Sequence, residues 1–170
     1  MRKLLFLFIL LLSSTTWATP EFEACFTPQD NCIDLLVNQI NSAKQSIYVQ
    51  AYSFTSYAIA KALVRAEERG VSVNIIFDQS NFTPDQFSQA PYLIEHHIAA
   101  WNDNQVSIAH NKVMIFDKDT VETGSFNFTS AAQYHNAENI VIIHNQALAQ
   151  QYLANWFHRQ HVSKPIHTPY

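Results

Sequence analysis

The fold class predicted by this sequence of 170 residues is α/β, with a mixed, largely parallel β-sheet flanked by helices on both faces. Three observations predict it. Between residues 46 and 77 the apolar pattern reads strand, helix, strand, which is a βαβ unit and places two strands in parallel. Val113–Phe116 and Ile140–Ile143 are apolar at every position, as strands covered on both faces are. No linker, low-complexity tract or repeat interrupts the chain, so 19–170 reads as a single domain.

The N-terminus reads separately. Arg2 and Lys3 precede an unbroken apolar run from Leu4 to Leu12, followed by Ser13–Thr16, with small residues at Thr16 and Ala18. This is the layout of a secretory signal peptide over 1–18, and a periplasmic or secreted location follows from it. An uncleaved N-terminal anchor is the competing reading. In an oxidising compartment Cys25 and Cys32, the only two cysteines, form a plausible disulfide that pins the mature N-terminus to the first helix. Such a short loop stabilises by about 2.5 kcal/mol on the chain-entropy model.

Ile33, Leu36, Val37 and Ile40 recur at helical spacing within 29–44. Ser46–Phe54, rich in β-branched and aromatic residues, reads as a strand. Tyr57–Glu68 reads as a helix with Gly70 as its stop. Val71–Phe77 alternates and reads as a strand, and Gln79–Ala90 is polar and reads as a loop. Pro91 opens a short helix through His97. Strands follow near Ile98–Trp101, Val106–Phe116, Val121–Gly124 and Glu138–Ile143, then a helix from Gln146 to His161.

Charge gives little support for a polyanionic partner. The full chain carries −4, and −6 once Arg2 and Lys3 are removed, with no Lys/Arg run. The absence of any Cys-x-x-Cys argues against redox chemistry.

The informative stretch is His110-Asn-Lys112, Asp117 five residues beyond the lysine, and Gly124-Ser125-Phe-Asn127. Residues two apart on a strand share a face, so His110 pairs with Lys112, and Ser125 with Asn127 if the pleat continues. Asp117, at an odd offset from His110, falls outside that group. Gly124 lets backbone pass close to an anion or a neighbouring strand. A neutral imidazole attacks phosphorus, Lys112 neutralises a non-bridging oxygen, and Ser125 and Asn127 donate hydrogen bonds to the others. Positioning and charge stabilisation of this kind supply most of the catalysis of phosphoryl transfer, with no metal or cofactor called for.

The pattern H-x-K-x4-D-x6-G-S-x-N, with six fixed positions, resembles the HKD motif of the phospholipase D superfamily, here present once. The resemblance runs through Ala51–Thr55, Val121–Thr129 and Glu138-Asn139, and is similar to the small secreted bacterial endonucleases of the Nuc type. It implies a phospholipase D-like fold and a metal-independent nuclease acting on DNA, with RNA as a further substrate. A phospholipase D acting on phosphatidyl lipids is the alternative. It further implies that His110 forms a phosphohistidine, that Lys112, Ser125 and Asn127 bind phosphate, and that Glu138 hydrogen-bonds the far ring nitrogen of His110. Asp117 and Gly124 are structural. A single motif per chain implies a homodimer with the site at its two-fold interface, because a second acid must protonate the leaving oxygen.

Other residues read more plainly. His96-His97 and the pair His158 and His161 suggest a metal site only weakly, since no carboxylate cluster accompanies them. His135 stands between bordering the cleft and simple exposure. Tyr52, Phe54 and Phe128 have the aromatic character to stack on bases but fit a core better. Glu122 receives no role, and Lys118 and Asp119 read as turn residues.

Overall fold

The computed structural model describes residues 21–83 and 87–166. The expected signal peptide over 1–18 lies outside the described residues. The elements run β1 (Phe22–Phe26), α1 (Cys32–Ser42), β2 (Ser46–Ala51), α2 (Tyr57–Glu68), β3 (Ser72–Asp78), a 3-10 turn (Gln79–Phe82), α3 (Ala90–Glu95) and β4 (Ala99–Asp103). They continue with β5 (Lys112–Phe116), β6 (Thr120–Gly124), α4 (Ser130–Tyr134), β7 (Asn139–His144), α5 (Gln146–Val162) and β8 (Lys164–Ile166).

One eight-stranded sheet has the order β1-β7-β6-β5-β2-β3-β4-β8. It is mixed, but the expectation of a largely parallel sheet is corrected. Only β2–β3 and β3–β4 are parallel. The pairings of β1–β7, β7–β6, β6–β5, β5–β2 and β4–β8 are antiparallel. The reason is local: β5 and β6 are joined by three residues, too few for the crossover a parallel pair needs.

Helix ends follow their capping residues. Asn31 Oδ1 accepts the Asp34 N–H, which starts α1 later than periodicity alone suggests. Gly70, at φ +88°, adopts the left-handed conformation that closes α2, with its N–H bonded to the Glu67 carbonyl. Asn145 caps α5 through the Leu148 N–H.

The sheet separates two cores. Leu36 and Ile40 of α1, Ile59 and Leu63 of α2 and Leu93 of α3 pack on Ile47, Val49, Ile75, Phe77, Met114 and Phe116. On the other face Ala149, Leu153 and Trp156 of α5 pack on Ile76, Val113, Ile115 and Val121. All five residues of β5 are buried, as their apolar run requires. In β7, by contrast, Val141 and Ile143 are half-buried, because α5 does not extend over that side of the sheet. Cys25 and Cys32 are joined, tying β1 to the first residue of α1.

Glu122 is fully buried on the α1 face of β6, paired with Met114, and neither carboxylate oxygen makes a hydrogen bond. Burial holds its carboxyl well above the usual carboxylate range, and the Met114 backbone opposes that shift. The folded chain therefore keeps a proton that the unfolded chain releases above about pH 4.3, and this group's contribution to stability declines as pH rises beyond that value. Glu122→Met removes the orphaned oxygens at similar volume. It is expected to stabilise the protein by about 1–3 kcal/mol at pH 8, and by less at pH 5, in urea unfolding. An equal gain at both pH values would contradict a protonated Glu122.

Candidate active site

The sheet's two ends differ in chemistry. The last residues of β2, β3, β4 and β6 and the first residues of β5 and β7 meet at one end, and this is where the motif side chains gather. Asp117 lies at the opposite end. Its carboxylate accepts the N–H groups of Lys44, Gln45 and Ser46, tying the β5–β6 turn to the entrance of β2. That turn holds Asp117 at φ +50° and Lys118 at φ +65°. Asp117 thus fixes the strand that carries Lys112 without approaching the reacting groups.

Lys112 opens β5 opposite Ala51, on the α1 face of the sheet. It is 7% exposed, and its Nζ donates to the His110 carbonyl at 3.0 Å and sits 5.1 Å from the centroid of the Tyr52 ring. Burial lowers the lysine below its ordinary range, and the Glu138 carboxylate opposes that shift. The result is a desolvated cation held by a carbonyl and an aromatic face, well suited to a phosphate oxygen.

His110 is exposed, and its ring lies against Tyr52 with centroids 4.6 Å apart. Here the expected strand over Val106–Phe116 is corrected: residues 104–111 are irregular and only Lys112–Phe116 pair. A buried carboxylate accounts for the departure. Asp78, at the end of β3, accepts the Ala109 N–H at 2.7 Å through Oδ2 and the Ser80 N–H through Oδ1. Asp103, at the end of β4, accepts the Gln105 N–H and forms a two-point pair with Arg159. These anchors fix the approach to His110, and neither was singled out from sequence. Asp78→Ala is expected to lower kcat roughly 10–100-fold with little change in KM, because it displaces the imidazole without touching substrate. Asp78→Asn, which retains an acceptor oxygen, should recover part of the loss. A change confined to KM would contradict a positioning role.

Beyond β6 the alternation continues: Phe126 and Phe128 are buried, while Ser125 is exposed and Asn127 half-buried. Gly124 is required here, since a Cβ would fall 2.1 Å from the Asn139 carbonyl oxygen of β7. This close approach brings Ser125 to Glu138. Ser125 Oγ donates to Glu138 Oε2 at 2.5 Å and accepts the Asn139 N–H, while Asn136 donates to Glu138 Oε1. The expected hydrogen bond from Glu138 to His110 is not formed among the described residues, where the two carboxylate oxygens accept from Ser125 and Asn136 instead. Thr27 holds Glu138 in place by exchanging hydrogen bonds with its backbone. Asn127 Oδ1 is buried without a partner.

Phe54 and Phe128 are fully buried and bridge through their backbones, so neither is open to a base. His96, His97, His135, His158 and His161 are exposed, and no group of three His, Cys, Asp or Glu side chains able to hold a metal gathers among the described residues.

An exposed imidazole, a desolvated lysine, a hydroxyl, an amide and a carboxylate gather at one sheet end of a mixed α/β scaffold, a set of groups that suits phosphodiester chemistry. Comparison with known proteins agrees. Residues 36–160 match the family model described as cardiolipin synthase, PLD-like domain. The chain is 46% identical over 143 residues to the phospholipase D of Rickettsia prowazekii, covering 84% of this chain and 69% of that one. It is 48% identical over 140 residues to that of Rickettsia conorii, covering 82% and 70%. The crystal structure of Nuc from Salmonella typhimurium, a phospholipase D family member, superposes with a TM-score of 0.82 at 39% identity, covering 86% of this chain and 98% of Nuc. NucT from Helicobacter pylori shares the fold, with a TM-score of 0.77 at 23% identity, covering 86% of this chain and all of NucT. This chain belongs to the phospholipase D superfamily and is a phosphodiesterase of that family.

Proposed function

We propose that the protein is a metal-independent nuclease that cleaves DNA, and RNA as a further substrate, through a phosphohistidine on His110. The observation that carries this reading is the likeness to Nuc, which spans nearly the whole of that chain. In the first step an imidazole nitrogen of His110 forms a bond to phosphorus while the bond to the leaving oxygen breaks, and an acid protonates that oxygen. Water then attacks phosphorus, the P–N bond breaks, and the base formed in the first step takes the water's proton. Lys112 and Asn127 hold the non-bridging oxygens. In the free chain the Ser125 hydroxyl points at Glu138. A bound phosphate competes for that hydroxyl, and its departure leaves Glu138 free to orient the His110 ring.

Among the described residues one such imidazole is present, so the acid is assigned to His110 of a second copy in a two-fold dimer. Val106 and Ile108, 40% and 55% exposed, lie on the same irregular segment as His110 and offer apolar surface for that association. A periplasmic or secreted location is proposed from the N-terminal pattern of Arg2–Ala18.

A lipid substrate is the second reading, favoured by the Rickettsia relatives, whose identity to this chain exceeds that of Nuc. The mitochondrial cardiolipin hydrolase of Mus musculus is also similar, at 27% identity over 130 residues, 76% of this chain and 58% of that one. Purified protein should nick plasmid DNA with EDTA in excess at an undiminished rate. A requirement for added metal would remove the metal-independent mechanism. Choline release from phosphatidylcholine vesicles without nicking would transfer the assignment to lipid.

A further inference from the structure

Between Cys25 and Cys32 the chain has almost no core of its own. Phe26 and the residues from Pro28 to Asn31 are exposed, and only Thr27 among those the disulfide brackets is buried. Two sets of hydrogen bonds support the bracket. The Phe26 N–H donates to Asp30 Oδ2 while the Asp30 N–H donates to the Phe26 carbonyl. Gln133 of α4 donates to the Asp30 carbonyl and accepts the Ile33 N–H. With so little apolar burial, closure of the segment falls to the covalent bond and to a few hydrogen bonds near solvent.

The stretch that carries Glu138 is equally bare. Tyr134 to Ala137 and Asn139 are exposed, and Glu138 is half-buried. Thr27 fixes it from the other side. Its N–H donates to the Glu138 carbonyl at 3.0 Å, one rung beyond the last β1–β7 pair of Phe26 with Asn139. Its Oγ accepts the Glu138 N–H at 3.0 Å, and its hydroxyl hydrogen lies between the carbonyls of Ala132 and Asn136, at 2.9 and 3.1 Å. Asn136 in turn donates to Glu138 Oε1. One buried hydroxyl thus sets the backbone of Glu138 and that of the residue steering its carboxylate.

We propose that the bracketed segment is a positioning element of the active site: Thr27 transmits the closure made by Cys25–Cys32 to Glu138, so that reducing the bond lowers turnover in a chain that stays folded. It rests on the reading in which Glu138 orients His110. Dithiothreitol supplies the two electrons and two protons of the reduction and is itself oxidised to a disulfide. Turnover of bis(p-nitrophenyl) phosphate is measured on oxidised and reduced protein, with free thiols counted and with circular dichroism and light scattering on both. Reduction should lower kcat about 10-fold with little change in KM. Thr27→Val in the oxidised protein should do the same, and Thr27→Ser should recover most of the loss. Neither reduction nor Thr27→Val should lower kcat further in Glu138→Ala, where the carboxylate they act through is gone. Wild-type kcat in fully reduced, folded protein would overturn the proposal, as would a full additional loss from Thr27→Val in Glu138→Ala. Unfolding on reduction would overturn it too, leaving the disulfide a stabilising bond only. A near-normal kcat in Glu138→Ala would instead defeat the assigned role of Glu138, and the proposal would fall with it.

Discussion

His110→Ala is expected to lower turnover by about 10⁴-fold or more while leaving the fold and the association state intact. The imidazole is exposed and makes no hydrogen bond among the described residues, its packing being a tilted contact with Tyr52. Little stability depends on it. The chemistry depends on it fully, because among the described residues no other imidazole lies among the motif side chains: His135, eight positions beyond Asn127, is an exposed helix cap. In a two-fold dimer the loss removes nucleophile and acid together. Steady-state rates on a phosphodiester substrate, with circular dichroism and light scattering, check the outcome. A mutant with a near-normal rate would sink the assignment.

Lys112→Met should separate activity from stability. The lysine is almost buried, and burial works against its charge, with Glu138 as a partial offset. Methionine fills the same channel over Tyr52 with no charge to desolvate, so the melting temperature should hold or rise. Activity should fall roughly 10³-fold in kcat/KM, the loss typical of one electrostatic partner of a transition-state oxygen. Opposite signs in the two measurements identify a residue kept for chemistry at some cost in stability. Parallel losses would instead make Lys112 a structural residue.

Much of the site was legible because the motif is local. His110, Lys112, Gly124, Ser125 and Asn127 fall within eighteen residues, and period-two reasoning placed Lys112 beside the cleft and kept Asp117 out of it. What escaped was set by contacts distant in sequence. The anchoring of Ala109 by Asp78 spans 31 positions, and no pattern marks Asp78 as different from any aspartate at a strand end. The Ser125–Glu138 bond depends on how closely β6 and β7 approach at Gly124, a packing fact visible only in three dimensions.

For the fold, the βαβ unit at Ser46–Asp78 carried a clear double periodicity. The antiparallel half announced itself only through the short gap between Phe116 and Thr120, which strand composition alone does not weigh. Edge strands β1 and β8 are short and lack strict apolar alternation. Their pairing reflects the open edges of β7 and β4 more than their own sequence. The five-residue α4 depends on the Thr129 cap and is too short for periodicity to reveal.

The central claim is a covalent bond between His110 and phosphorus, and the direct measurement is acid-free quenching of enzyme with a phosphodiester labelled at phosphorus. The account predicts label that stays with the denatured protein, survives alkali, is released by acid, maps to the peptide containing His110 and is missing from His110→Ala. Turnover of the same substrate with no protein-bound label at any quench time, even where the second step is slowed, would contradict it and leave direct attack by water as the mechanism.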